Sequence, residues 1–153
     1  MHMHITSILI QAPAEDAYAF HTDPANLLRI TPKGIKVEIL RFDPSGPDAI
    51  VELKVKPFPL IPLIAMRWRM RFDIVEPPYR LSDVQVSGPF RYWRQLREFI
   101  PNGPDACILR DTVEYTLPFG FLGRVANRLF VARLIRRMFD HRQEATRSIL
   151  EAH

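Results

Sequence analysis

Three predicted strands place groups that could do chemistry beside large apolar side chains. Turns rich in glycine and proline separate the strands, which we predict at residues 81–87, 91–100 and 105–117. Side chains alternate between the two faces of a strand, so one face of this sheet is mixed in character. That face carries Asp83, Gln85, Trp93, Gln95, Arg97, Phe99, Cys107, Leu109, Asp111, Val113 and Tyr115. Such a mixture is typical of a pocket wall, where a few polar groups orient a mainly apolar molecule.

Two acids and one arginine of this face could support acid–base catalysis. Asp83 or Asp111 would act as the general base, because burial raises the pKa of a carboxyl group. Arg97 or Tyr115 would stabilise an enolate or alkoxide, as a cyclase or dehydratase requires. No motif fixes a nucleophile and a base, so catalysis is the alternative to ligand binding.

Arg97 and Asp111 are predicted to lie on one face of neighbouring strands, opposite each other or one step diagonal. This spacing predicts a charge-assisted contact. One interpretation is a satisfied buried ion pair that sets the register of the sheet and touches no ligand. The other is a polar group that orients one end of an apolar ligand. The sequence leaves both interpretations open.

We predict that two groups of side chains line the pocket. The apolar group is Trp68, Met70, Phe72, Trp93, Phe99, Tyr115, Leu129 and Met138. The polar group is Asp83, Gln85, Gln95, Arg97 and Asp111. No metal or cofactor is predicted, because the chain has no glycine-rich nucleotide motif and His2 and His4 have no third metal ligand nearby.

The remaining pattern supplies the elements that would position these groups. A first strand at 2–10 precedes two short helices at 13–21 and 24–30, the second with Asp23 as its N-cap. A hairpin at 35–56 follows.

Residues 66–74 then alternate between apolar and charged types, which predicts another strand. A long helix is predicted from 121 to 150, with one apolar stripe and with its arginines, Arg142 among them, largely off that stripe. These arginines could meet anionic lipid, as on a basic amphipathic helix, or form a solvated outer face. The apolar stripe is Leu122, Val125, Leu129, Ala132, Ile135, Met138 and Phe139. This order predicts an α+β helix-grip fold, in which a curved seven-stranded antiparallel sheet wraps around a long C-terminal helix.

Length and composition indicate one globular domain spanning residues 1–153, with 47% hydrophobic and 25% charged residues. The single cysteine, Cys107, cannot form an intramolecular disulfide, and the first residues lack the pattern of a secretion signal, so a cytoplasmic location is predicted. Nucleic-acid binding is not predicted despite the net charge of +4, because the aromatic residues lie on presumed interior faces.

The apolar loop from Pro57 to Ile64 has two interpretations. It could touch a membrane surface or another protein while a ligand enters, or it could fold over the mouth of the cavity.

Motifs spread over nearly the whole chain carry a resemblance to a known superfamily. They are Ala12-Pro13 with Phe20, Asn26-Leu27 with Ile30-Thr31-Pro32, Trp68, Pro77-Pro78, Asp83-x-Gln85-x-x-Gly88-Pro89-Phe90-x-x-Trp93, Phe99, and Asp111-x-x-x-Tyr115-x-x-Pro118-x-Gly120-x-x-Gly123. With them the chain resembles the SRPBCC superfamily, of START and birch-pollen-allergen-like fold, and within it a bacterial group that is polyketide cyclase/dehydrase-like or ligand-binding. One departure is that Gln95 and Arg97 stand where related sequences often carry two histidines.

The resemblance implies a deep cavity between sheet and C-terminal helix that holds lipids, polyketides, quinones or similar molecules. It implies no single reaction, since fold-level likeness is a weak guide to chemistry. We therefore expect binding or transport of a hydrophobic or amphipathic small molecule. The alternatives are a cyclase or dehydratase that uses a buried aspartate, and a non-catalytic interaction module whose cavity is filled by its own side chains.

Overall fold

A seven-stranded antiparallel sheet is the largest element of the computed structural model, which describes residues 1–44, 46–56 and 66–152. Its strands are β1 (His2–Ile10), β2 (Lys36–Phe42), β3 (Ile50–Lys56), β4 (Met66–Glu76), β5 (Arg80–Ser87), β6 (Tyr92–Pro101) and β7 (Cys107–Thr116). The order across the sheet is β1-β7-β6-β5-β4-β3-β2, so that β1 and β2 form the two edges. The predicted seven antiparallel strands are confirmed.

Two short helices, α1 (Ala14–His21) and α2 (Pro24–Ile30), follow β1 as predicted. Asp23 caps α2, because its carboxylate accepts a hydrogen bond of 3.0 Å from the backbone N–H of Ala25. Pro24 occupies the first helical turn, where a backbone N–H has no partner to lose.

The C-terminal helix has three parts: α3 (Gly120–Ala126), a π-helical turn (Asn127–Val131) and α4 (Ala132–Glu151). Together with the sheet and the two short helices it confirms the predicted α+β helix-grip fold. None of the helices in the described ranges is long and apolar enough to cross a membrane.

The alternation predicted for the polar strands is confirmed in β6 and β7, whereas in β5 the consecutive residues Leu81, Ser82 and Asp83 are all buried. Along β6 and β7, buried residues alternate with half-buried ones, and the buried set includes all the mixed-face residues of these two strands. Trp93, Phe99, Leu109 and Val113 are almost fully buried, and each large apolar side chain removed from water contributes about 1.5–3 kcal/mol. The buried apolar side chains therefore anchor these strands in the core, and the strands in turn hold the acids and amides in place.

Strand β4 also follows its predicted pattern, with Met70 and Phe72 buried and Arg67 and Asp73 exposed. Its pairing with β5 shifts register twice. Such bulges bend a strand and increase its twist, which favours the curvature that wraps a sheet around a helix.

The apolar stripe predicted for the C-terminal helix is correct only in its second half. Ile135 and Phe139 are buried against the sheet, whereas Leu122 and Leu129 are exposed, Leu129 by 55%. The cause is the π-helical turn, because one extra residue in a turn rotates the preceding segment by about 100° relative to a continuous α-helix. The prediction that Leu129 walls the cavity is therefore wrong.

The π-helical turn is anchored to the sheet through Asn127. Its side-chain oxygen accepts a hydrogen bond of 2.6 Å from the Tyr115 hydroxyl, and its amide nitrogen lies 3.1 Å from Nδ1 of His2. All three groups lie on inward-facing positions of β1, β7 and the helix, so the contact fixes where the helix changes phase.

Candidate functional site

The space between the sheet and α4 contains a cavity with two adjoining lobes. One lobe, of about 110 Å³, has Asp83, Gln95, Arg97 and Arg142 in its wall, and we call it the polar lobe. The other, of about 190 Å³, has an almost wholly apolar wall, and we call it the apolar lobe. Both lobes share Ile35, Val55, Trp68, Trp93 and Met138 as wall residues. Side chains of the described residues do not fill this space.

A buried ion pair stands at the wall of the polar lobe. A terminal guanidinium nitrogen of Arg97 lies 2.6 Å from Oδ1 of Asp83, and both side chains are more than nine-tenths buried. Leu81, not Asp83, is the register partner of Arg97, so the guanidinium reaches its acid diagonally across two strands.

Asp111 takes other partners, which corrects the predicted contact between Arg97 and Asp111. The two residues are register partners on β6 and β7, but the carboxylate of Asp111 accepts hydrogen bonds from Gln95 at 3.2 Å and from Gln143 at 3.0 Å. Gln143 comes from α4 and also donates to the carbonyl oxygen of Thr6 at 2.9 Å. Amides from two elements thus donate to one oxygen each of Asp111, while the guanidinium of Arg97 pairs with Asp83.

The sequence interpretation missed Arg142. We expected this residue off the apolar stripe of the helix, yet it lies in the wall of the polar lobe with its guanidinium carbon 5.2 Å from the centre of the Phe139 ring. The salt bridges among the described residues pair Asp83 with Arg97 and leave Arg142 out. One signal could have revealed it: Arg142 lies three residues after Phe139, on the buried side of the helix.

Burial controls the protonation of the groups around the polar lobe. It raises the pKa of Asp83 against the opposing effect of the Arg97 charge, and it lowers the pKa of Arg142. A half-buried cationic group that lacks a close acid gains more from an anion than an exposed arginine does.

His21 at the end of α1 adds a neutral acceptor to the same lobe. Burial lowers the pKa of His21 to about 4, so the ring is uncharged at neutral pH. Its Nδ1 lies 2.8 Å from the carbonyl oxygen of Ala17, which can only accept, so Nδ1 carries the hydrogen and Nε2 is the free acceptor.

The structure brings eight of the thirteen predicted ligand-binding residues to the cavity wall. These are Trp68, Met70, Phe72, Asp83, Trp93, Gln95, Arg97 and Met138. Their contact with a ligand stays a prediction.

Gln85 has a structural role instead. Its amide donates to the carbonyl oxygen of Phe90 at 2.6 Å and accepts from the Phe90 N–H at 3.3 Å, which closes the turn between β5 and β6. Gly88 in this turn packs against Trp68, since a Cβ there would lie 2.6 Å from the indole ring. Gln85 therefore supports the cavity wall through the turn.

Phe99 and Tyr115 are also core residues. Phe99 packs edge-on against Tyr18 and His21, with ring centres 5.5 and 5.3 Å apart, and lies behind the cavity. The hydroxyl of Tyr115 donates its hydrogen bond to Asn127, as described for the π-helical turn. Neither lies in the wall of either lobe.

Two further features bear on the site. No group of three or more histidine, cysteine or acidic side chains suited to a metal ion occurs within 1–44, 46–56 and 66–152. The loop at 57–64, for which we considered membrane contact, lies outside the described residues.

Comparison with known proteins gives a family and a fold. A family model described as "Polyketide cyclase / dehydrase and lipid transport" matches residues 10–144. No curated protein matches the sequence at the significance required.

Solved structures of similar fold include a START superfamily protein from Mycobacterium smegmatis, which is 18% identical with a TM-score of 0.71 over 99% of this chain and 98% of that one. The Zhui aromatase/cyclase from Streptomyces sp. R1128 is 18% identical with a TM-score of 0.75 over 98% and 94%. Norcoclaurine synthase from Thalictrum flavum is 18% identical with a TM-score of 0.65 over 99% and 87%. At these identities the likeness is one of fold.

Proposed function

Because the chain belongs to the polyketide cyclase/dehydrase and lipid transport family, we propose that it binds an amphipathic small molecule between its sheet and α4. The apolar body of the ligand occupies the apolar lobe, and an anionic or strongly polar end meets Arg142 in the polar lobe. The observation that carries this proposal is the uneven wall of the cavity, which is almost wholly apolar in one lobe and carries charged groups in the other.

The charges of the polar lobe support an anionic end. Asp83 neutralises Arg97 at 2.6 Å, and Asp111 is held by two amides, so the remaining cationic group of the wall is Arg142. Phe139 holds the guanidinium in place by a cation–π contact without neutralising it. A carboxylate, sulfonate, phosphate or phenolate could accept from its N–H groups.

Two dyes that differ by one charged group test both parts of the proposal. N-phenylnaphthylamine is neutral, and anilinonaphthalene sulfonate carries the same rings with a sulfonate. Both dyes should quench the two tryptophans of the chain, because Trp68 and Trp93 both stand in the cavity wall. Arg142→Gln should raise the Kd of the sulfonate dye roughly tenfold, equal to about 1.4 kcal/mol, and leave the neutral dye within about twofold.

Arg137→Gln is the matched control, because Arg137 is an exposed arginine on the same helix. It should change neither Kd. If wild-type protein binds neither dye, the cavity proposal is wrong. If Arg142→Gln weakens both dyes equally, the cavity binds ligands but Arg142 does not select their charge.

Acid–base catalysis by Asp83 is the second candidate function. It is favoured by one observation: Asp83 stands in the cavity wall with a pKa raised by burial, whereas Asp111 does not reach the wall. With a poly-β-ketoacyl thioester as the probe, Asp83→Asn should lower the rate of cyclisation or dehydration at least about 100-fold while the affinity for N-phenylnaphthylamine is kept. Wild-type protein that leaves this probe unchanged would count against catalysis and leave the binding proposal intact.

A further inference from the structure

Six large apolar side chains are exposed within twelve residues at the start of the C-terminal helix. Phe119, Phe121 and Phe130 are exposed by 82%, 69% and 65%. The others are Leu122, Val125 and Leu129, and we call the six residues the phenylalanine patch. Scattered exposed apolar residues are ordinary on a protein surface, but a cluster of this kind marks an interaction site.

Backbone geometry and the π-helical turn both keep the patch away from the sheet. Phe119 has a φ of 70°, which is unusual for a bulky residue, and Gly120 follows with a φ of 51°. The π-helical turn then shifts the phase of the helix, so that Leu129 does not join the stripe that α4 buries.

The charges around the patch have one sign. From Phe119 to Phe139 the sequence contains no aspartate or glutamate. Its arginines are Arg124, Arg128, Arg133, Arg136 and Arg137, and all of them are exposed. The guanidinium of Arg124 lies 5.9 Å from the centre of the Phe121 ring, so charge and aromatic surface are presented together.

We propose that the phenylalanine patch docks the protein on an anionic lipid bilayer. Phenylalanine and leucine side chains enter the boundary between headgroups and acyl chains, and the surrounding arginines bind lipid phosphates. A second copy of this chain fits less well, because a symmetric contact would set these arginines against each other. An acidic protein would match the charge but would leave the need for a broad apolar contact unexplained.

The phenylalanine patch lies next to the cavity along the helix, so docking would bring the cavity close to the bilayer. Val131, Leu134, Ile135 and Met138, in the wall of the apolar lobe, follow the patch directly along the helix. A bilayer held by the patch would therefore lie beside the helix that closes the apolar lobe. Docking itself does not depend on the proposed ligand, so each can fail without the other.

Sedimentation with lipid vesicles tests the proposal on the full chain. Wild-type protein should sediment with phosphatidylcholine vesicles that contain about 30% phosphatidylglycerol, bind pure phosphatidylcholine far less, and be released by high salt. The triple variant Phe119→Ser, Phe121→Ser, Phe130→Ser should reduce the partition coefficient roughly tenfold or more, since each buried ring contributes to insertion.

A matched triple variant removes three other exposed apolar side chains, by Met3→Ser, Ile5→Ser and Val86→Ser. It should bind vesicles like the wild type. Equal loss in both triple variants, or equal binding to neutral and anionic vesicles, would overturn the proposal. A change in the sedimentation coefficient of the phenylalanine variant in the absence of lipid would also overturn the proposal, because it would show that the patch binds a second copy of the chain. Binding of N-phenylnaphthylamine to both variants shows that the cavity is intact.

Discussion

Arg97→Met should lower the free energy of unfolding by about 3–5 kcal/mol at neutral pH, because it leaves the buried carboxylate of Asp83 without its counter-charge. The ion pair is short and enclosed, so water cannot replace the lost partner as it would at the surface. Urea denaturation, followed by tryptophan fluorescence, measures the change.

The loss should shrink as the pH falls. The pKa of Asp83 already lies above its unfolded value, because burial disfavours the charged form. Between those two pKa values the folded state binds more protons than the unfolded state, so stability declines as the pH rises through this window. The positive charge of Arg97 lowers the pKa of Asp83. Without Arg97 this pKa rises further, so the window extends to higher pH. The deficit should therefore be smaller at pH about 5 than at pH about 7.

The double variant Arg97→Met, Asp83→Leu is the control for this explanation. Replacing both partners of a buried pair by apolar groups is often neutral or even stabilising, so most of the lost stability should return. A double variant as unstable as Arg97→Met would show that the loss came from packing around the arginine stem.

Met138→Trp should abolish binding of N-phenylnaphthylamine, with a Kd raised at least about 100-fold, equal to about 2.7 kcal/mol. Met138 stands in the wall of both lobes, so a larger ring there reduces the space at their shared wall. Overpacking costs about 1–3 kcal/mol of stability, which leaves a protein with its usual circular dichroism spectrum.

Met138→Leu is the volume-conserving control and should keep the wild-type affinity. Fluorescence titration of the three proteins decides the matter. Unchanged dye affinity in the tryptophan variant would place the dye outside the cavity, and the proposed function would lose its support.

Local pattern was enough to predict the strands because each carries its own signal. Residues 91–100 alternate between polar and apolar types and end at turn-forming residues, so the inward faces of Gln95 and Arg97 could be predicted without knowledge of any contact. The same holds for Met70 and Phe72 on β4. Where the burial of a residue follows from its parity along a strand, sequence alone suffices.

The partners of those residues could not be predicted in the same way. Strand register sets Arg97 opposite Asp111, yet Arg97 pairs with Asp83, and Asp111 accepts a hydrogen bond from Gln143 of a distant helix. Leu129 fails for a related reason. The exposure of Leu129 follows from the π-helical turn, which Tyr115 and His2 fix through Asn127. No residue type inside the turn predicts it from the sequence.

The order of strands in the sheet also has a consequence for synthesis. Within the sheet β1 has a single neighbour, β7, whereas β2 to β6 each lie next to strands adjacent in the chain. On a ribosome, the meander from β2 onward can assemble first, because pairing distant segments costs more chain entropy than pairing near ones. Strand β1 stays unpaired until Cys107–Thr116 emerges. Of the seven strands of this sheet, the first to be translated is thus the last to be incorporated, and the growing chain must keep the apolar side chains of that strand from aggregating until then.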